Sequence, residues 1–468
     1  MNPLSLPDTE YKQVFERITQ LALDYLASLE ERPSFPDTSA SKTEALFCNP
    51  LLENGIGVKA LDGLASVIDN ARAGGPRFFG YVLGSGEPVS AAADLLASVL
   101  NQNLTAWRSG PSAATIERVV VGWLAEAIGC KGFRGSLTGG GSPANLMGLA
   151  MAREARLPAN ESGVRPGTIY ASEQVHMSVP KAVALLGIGR QHLRLIACDD
   201  EFRVRTDMLR EAVQSDVRAG LTPIAIVGSA GAVATGSIDP LQKLAAISRE
   251  FGAWFHVDGA YGALAAIAEP ALFAGLDQAD SLSLDPHKWL YQPLDCGCLL
   301  YRDPAAARRA FSHTGDYAKA LLDDPVEGFA FFEESIELSR RFRALKLWLS
   351  LRYHGLANFR EAIRNDLSMA QHLADLIAGQ PELELLAPVP LSAVCFRYRT
   401  DGDADTLNQN ILQGVIRRGK VFLSNASIHG QFALRACIVN HRTTCADVEQ
   451  VVSEVIAVGR KLMAGSGL

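Results

Sequence analysis

The chain has 468 residues, 48% hydrophobic and 20% charged, with a formal net charge of −7. Such a length and composition imply one large domain with smaller parts attached, built on a substantial core. Acidic and basic residues are interspersed, so no basic field exists to draw in a polyanion, which argues against a nucleic-acid or anionic-membrane partner.

The start, MNPLSLPDTEYKQ, has no basic segment leading into an apolar run, so no signal peptide is expected. The most apolar stretch, Gly262 to Leu276, is interrupted by Glu269 and Pro270 and is too short to span a bilayer. The eight cysteines are scattered, and the close pair Cys296 and Cys298 lacks metal or redox spacing. Reduced thiols, no metal site and a cytoplasmic location are the expectations.

In chain order, residues 11–29 carry an apolar stripe of helical period that must pack on something. Residues 1–80 read as a helical preface. Strands are expected at Thr168–Ala171, Leu193–Ala197, Ile224–Gly228, Trp254–Asp258, Ser281–Leu284 and Gly297–Tyr301, with helices such as Asp239–Phe251 between them. That alternation predicts a mostly parallel sheet covered on both faces, with ligands at the carboxyl ends of its strands. A helix is expected over Ser339–Leu351. Strands at Ala393–Tyr398, Val421–Leu423 and Ala433–Val439, then a helix over Ala446–Leu462, suggest a small α/β domain. The division expected is 1–80, 81–345 and 346–468.

Three motifs carry chemistry. The apolar strand Trp254–Asp258 ends in a carboxylate followed by Gly259 and Ala260. Lys288 comes thirty positions after Asp258, in Asp285-Pro286-His287-Lys288, about one strand–helix–strand unit away. Asp258 and Lys288 are thus expected side by side at one sheet edge. A carboxylate there keeps a pyridine nitrogen protonated, and an amine there holds an aldehyde. Gly259 and Ala260 leave room for a flat ring. The run Thr138-Gly139-Gly140-Gly141-Ser142-Pro143-Ala144-Asn145 opens a helix, and bare N–H groups at a helix start suit a phosphate. His176 follows a strand end, where stacking on a ring or handling a proton becomes credible. His287 is within reach of a phosphate, whereas His256 lies deeper in its strand and reads as structural.

Together these motifs, with Pro76-Arg77-Phe78-Phe79 and Ser339-Arg340-Arg341-Phe342-Arg343-Ala344-Leu345-Lys346, resemble the group II pyridoxal-phosphate amino-acid decarboxylases. The resemblance runs from about Pro76 to Arg442. It implies the aspartate-aminotransferase fold (fold type I): a large mostly parallel sheet domain, a small C-terminal α/β domain and an N-terminal helical segment embracing a second subunit. By that similarity pyridoxal 5′-phosphate is the cofactor and Lys288 its Schiff-base lysine. Asp258 pairs with the ring nitrogen, His176 stacks on one ring face and Ala260 packs on the other. Gly141, Ser142 and His287 contact the phosphate. A homodimer with shared active sites and a small amino-acid substrate, aromatic by preference, are implied. Tyr81, Val82, Phe331 and Arg343 are candidate pocket residues, and Arg442 is a candidate loop or anion contact.

Three departures bear on the reaction. Gly231 is followed by Ala232, so a hydroxyl usual in relatives is missing. Val82 and Leu83 replace an aromatic–proline pair after Tyr81. The loop tyrosine that returns a proton to the carbanion in relatives is replaced by Phe331, which has no proton to give. Either another donor, such as His176, water or Tyr317, serves and the product is an amine with carbon dioxide, or the carbanion meets dioxygen and an aldehyde, ammonia and peroxide result. A non-catalytic cofactor-binding relative is the remaining alternative.

Overall fold

The computed structural model describes Asn2, residues 4–313 and residues 326–465. Its main sheet has seven strands: β1 (Arg134–Thr138), β2 (Gly167–Ser172), β3 (Leu193–Ile196), β4 (Thr222–Ser229), β5 (Trp254–Asp258), β6 (Ser281–Leu284) and β7 (Gly297–Tyr301). They lie in the order β1-β7-β6-β5-β4-β2-β3. Pairings from β3 across to β6 are parallel, while β7 runs antiparallel to both β6 and β1. Every residue of β2, β5, β6 and β7 is buried. Strands covered on both faces need no exposed polar alternation, and the few polar residues they carry, such as Ser281 and Ser283, are buried.

The six expected strands are present within one or two residues of their expected ends. β1 escaped sequence reading because Arg134-Gly135-Ser136 has no strand-like alternation. It earns its place by backbone pairing, with Gly135 opposite Leu300. A Cβ on Gly135 would lie 2.0 Å from the Leu299 carbonyl oxygen, so only glycine fits there.

A second sheet, all antiparallel, orders as β10-β11-β9-β8, from β8 (Leu383–Leu385), β9 (Ala393–Tyr398), β10 (Ser424–Ile428) and β11 (Gln431–Cys437). The expected strand Val421–Leu423 is corrected by the structure. Those three residues are buried, but as the lead into β10, whose polar alternation hid it. Phe79 joins the core of this sheet, so the N-terminal part of the chain is stitched into the C-terminal one. Helices Ala404–Arg418 and Cys445–Met463 accompany it, the latter opened by a Thr444–Asp447 capping box. The helix expected from Ser339 begins at Ala344 and runs to Ala378, broken at Gly355, where φ is +73°.

Helix Asp8–Ala27 matches the N-terminal stripe, but none of its residues is buried. Tyr11, Phe15 and Ile18 stay 41–42% exposed.

Residues just before the long helix are fastened to the sheet by a buried ion pair. Arg340 Nη2 donates to Glu117 Oε1 at 2.5 Å and to the Leu137 carbonyl at 2.7 Å. Both side chains are all but inaccessible. Removing one partner of such a pair strands the other charge in the core, at a cost of about 3–5 kcal/mol. Arg340→Met is therefore expected to lower the urea midpoint strongly, and adding Glu117→Gln to recover most of the loss; denaturation of both variants checks this.

Candidate active site

The parallel strands bring their carboxyl ends to one edge of the main sheet. Register places Ser229 of β4 beside Asp258 of β5, and Asp258 beside Ser283 of β6. Past these ends lie the turn from β6 to Lys288, the glycine loop after β1 and the turn after β2 that carries His176. Between them is a cavity of about 290 Å³, lined by the glycine loop, His176, Ser229, Asp258, Ala260, Asp285, His287, Lys288 and Leu294.

Asp258 is buried and surrounded by donors. Its Oδ1 accepts from the Ala260 N–H at 3.2 Å and from Ser283 Oγ at 3.1 Å, and its Oδ2 from Asn145 Nδ2 at 2.9 Å. Lys288 Nζ lies 2.9 Å from Asp285 Oδ2, one helical turn back in the sequence. The other oxygen of Asp285, Oδ1, is buried and without a partner among the described residues. It faces the glycine loop, 3.9 Å from where a Cβ on Gly140 would stand.

The loop owes its shape to glycine at two positions. Gly140 has φ +137°, a region L side chains rarely enter. A Cβ on Gly141 would sit 2.5 Å from that of Ala260. Helix Gly141–Arg156 starts immediately. As its first two residues, Gly141 and Ser142 have N–H groups with no intrahelical acceptor. Pro143 follows with no N–H to satisfy. Ser142 is exposed to the cavity side of the chain surface.

Two histidines border the cavity, and burial pushes both below their ordinary range. For His176, Asp258 pulls the other way and Lys288 adds to the effect of burial. For His287, Asp285 opposes burial. The Cys296 N–H donates to His287 Nδ1 at 3.2 Å, which leaves the proton of the neutral ring on Nε2, 3.5 Å from Asp285 Oδ2.

The residues present fit a phosphate-bearing pyridine aldehyde. Free N–H groups at a helix start suit the phosphate, Asp258 suits the ring nitrogen, Lys288 suits the aldehyde, and Ala260 beside Gly141 leaves a slot for a flat ring. The hydroxyl missing at Ala232 has a neighbour in Ser229, which reaches the same cavity from the end of β4.

Four expected pocket residues do not line this cavity within the chain. Tyr81 is 57% exposed, with φ +59° and its carbonyl held by the buried Arg435. Val82 packs on the main core. Phe331 is buried, edge-on to Phe329 at 4.8 Å and with the Arg340 guanidinium 4.2 Å above its ring. Arg343 lies near Gly139 but is bonded to Asp295 and Glu337, which neutralise it. Arg442 donates to the Ser85 and Gly86 carbonyls, as a loop contact would. Tyr317 lies outside the described residues.

Sequence reading passed over Asn145 and Asp285. The signal was there: Asn145 is one turn after Gly141, so its side chain returns to the same helix face, and Asp285 stands one turn before Lys288.

Comparison with known proteins agrees with this architecture. Residues 64–399 match the pyridoxal-dependent decarboxylase conserved domain. An aromatic-L-amino-acid decarboxylase of Bacillus atrophaeus is 32% identical, over 98% of this chain and 97% of that protein. The structure of Oryza sativa TDC with PLP and tryptamine superposes with a TM-score of 0.91 at 27% identity, covering 99% of this chain and all of that one. That of Rhodiola rosea 4-hydroxyphenylacetaldehyde synthase gives 0.87 at 29% identity, over 98% and 99%.

Proposed function

This chain belongs to the pyridoxal-dependent decarboxylase family, and from that premise we propose that it decarboxylates an aromatic L-amino acid to the amine and carbon dioxide. It is a pyridoxal-phosphate-dependent amino-acid decarboxylase by family. The aromatic preference rests on its relatives: one is an aromatic-L-amino-acid decarboxylase and another was solved with tryptamine. The single observation that carries the reading is one cavity in which an anion cradle, a carboxylate and a lysine converge.

When bound, the cofactor supplies an electron sink for the pair freed as the Cα–carboxylate bond breaks. Gly141, Ser142 and His287 bind its phosphate. Lys288 would hold it by its aldehyde. Asp258, fixed by three donors, holds a proton on the ring nitrogen. His176 would cover one ring face and Ala260 the other. His176 also keeps a proton at Nε2, because its Nδ1 accepts from the Ser178 N–H and hydroxyl. That proton is the one returned to Cα, since Phe331 has none to give.

A second reading is favoured by Phe331 and by the aldehyde synthase among the relatives. In it dioxygen, rather than a proton, would take up the electrons left when carbon dioxide departs, and with water consumed the products would be an aldehyde, carbon dioxide, ammonia and hydrogen peroxide. Turnover of the holoenzyme in air against L-tryptophan, L-tyrosine and L-phenylalanine separates the two. Amine without peroxide is expected; aldehyde with peroxide establishes the second reading.

The proposed protein is a cytoplasmic homodimer, divided near residues 80 and 345. Eight free cysteines, most of them buried, suit a reducing compartment. No helix among the described residues is long and apolar enough to cross a membrane. Support for the dimer comes from helix Asp8–Ala27, which buries none of its residues within the chain and leaves Tyr11, Phe15 and Ile18 exposed. Deleting residues 1–27 is expected to convert dimer to monomer in sedimentation velocity and to abolish turnover; an unchanged dimer would mean the helix serves another purpose.

A further inference from the structure

Behind the cavity lies a line of hydrogen bonds whose direction can be read from groups that have only one role. The Trp254 indole N–H can only donate, and it meets Ser281 Oγ at 2.8 Å. The hydroxyl of Ser281 is therefore free to donate to His256 Nδ1, also at 2.8 Å. On its other side His256 Nε2 faces Asn145 Oδ1 at 2.9 Å. Burial pushes His256 down to about 4, so its ring is neutral and one nitrogen donates while the other accepts.

The orientation of Asn145 is set independently by Asp258. A carboxylate accepts, so the Asn145 group 2.9 Å from Asp258 Oδ2 must be the amide nitrogen. Its carbonyl oxygen then faces His256 and demands the proton on Nε2, which agrees with Nδ1 accepting from Ser281. The second amide proton goes to Ser178 Oγ at 2.9 Å. Having accepted there, Ser178 donates its own proton to His176 Nδ1 at 2.8 Å, and its backbone N–H points at the same nitrogen at 3.2 Å. Neutral His176 consequently carries its proton on Nε2, the nitrogen Ser178 does not engage.

Asn145 is fully buried and makes three hydrogen bonds, with both amide protons given and one received by its carbonyl oxygen. Asp cannot replace it without setting two carboxylates together, and no apolar residue replaces any of its bonds. We propose that Asn145 is a positioning residue of this site, which through one amide orients Asp258 directly and fixes the tautomer of His176 by way of Ser178. The two sides of the reaction, electron sink and proton source, are set by one side chain. This inference rests on the roles given to Asp258 and His176 above.

The test compares the holoenzyme with Asn145→Ala, Ser178→Ala and Ser178→Thr. Histidine-selective ¹⁵N labelling, with His176→Gln to assign the signal, reads the tautomer without any need for turnover. The unsubstituted protein is expected to show His176 as the Nε2–H form alone, and Ser178→Ala, which keeps only the longer backbone N–H contact to Nδ1, that form as the major one with a measurable Nδ1–H share. In Ser178→Ala, kcat is expected to fall about tenfold, with KM and cofactor affinity within about twofold, and Ser178→Thr to restore it. Asn145→Ala is expected to show the mixed tautomer and, in addition, a cofactor Kd raised about 10- to 100-fold, because it also releases Asp258. Should Asn145→Ala fail to fold, the Ser178 pair decides alone. A His176 tautomer unchanged in Ser178→Ala, or a kcat that Ser178→Thr does not restore, overturns the proposal. If the unsubstituted holoenzyme decarboxylates nothing, the proposed function falls, while the tautomer measurement still decides the relay.

Discussion

Lys288→Ala is expected to reduce turnover by about 10⁴-fold or more, since among the described residues no other amine lines the cavity to hold the cofactor's aldehyde. The same substitution is expected to destabilise the cofactor-free protein, for a separate reason. Lys288 Nζ is the ion-pair partner of Asp285 Oδ2, and the other oxygen of that buried carboxylate already has no partner among the described residues. Removing the ammonium leaves that charge without a cation and only His287 Nε2 nearby at 3.5 Å, at a cost of up to about 3–5 kcal/mol. Lys288→Arg separates the effects: it keeps a cation for Asp285 and much of the stability, but forms no bond to an aldehyde and stays inactive. Single-turnover kinetics and denaturation of the cofactor-free forms read the two losses independently.

Asp258→Ala is expected to lower kcat by about 10³-fold, as a preorganised charge beside the developing negative ring system is lost. It also leaves three donors, from Ala260, Ser283 and Asn145, with nothing to donate to. Each buried unmet donor costs about 1–3 kcal/mol, so reduced stability is part of the prediction. Asp258→Asn is the sharper probe. Its amide oxygen can serve the Ala260 and Ser283 donors, but its NH₂ then meets the NH₂ of Asn145. Relief by flipping Asn145 turns two donors toward His256 Nε2–H. The disturbance should therefore pass to His256, and stability should fall below that expected from an isosteric change, as a denaturation curve would show.

Much of this site was legible before the structure. Asp258 and Lys288 could be paired because β5 and β6 are adjacent parallel strands, and one strand–helix–strand unit sets their spacing. The glycine loop was legible because three glycines, a serine and a proline together have few other uses. What stayed hidden depended on hydrogen bonding between distant segments. Asn145 and Ser178 are 33 positions apart, and Asn145 and Asp258 are 113 apart, so no local pattern announces their contact. β1 and β8 were hidden for a related reason: backbone pairing to a neighbour, rather than side-chain alternation, makes them strands. Phe331 shows the converse limit. Its number was found by counting back from Arg340, but its burial against Phe329 and under Arg340 could only be seen in three dimensions.

The first helix illustrates how a sequence signal can be sound and still unfinished. The stripe on residues 11–29 called for a packing partner; Leu29 is buried and Tyr25 meets Gly74 and Arg32, but helix Asp8–Ala27 itself buries no residue within the chain. In the proposed homodimer a second copy would cover it, and a site completed by two chains would also bring pocket residues that one chain does not supply.

The most direct test of the account is to load the protein with pyridoxal 5′-phosphate, reduce it with borohydride so that the cofactor stays on the amine holding it, and map the modified peptide. The account predicts one modified residue, Lys288, with Lys181 and Lys346 untouched. Modification of any other lysine, or none at all in protein that has bound the cofactor, would contradict it.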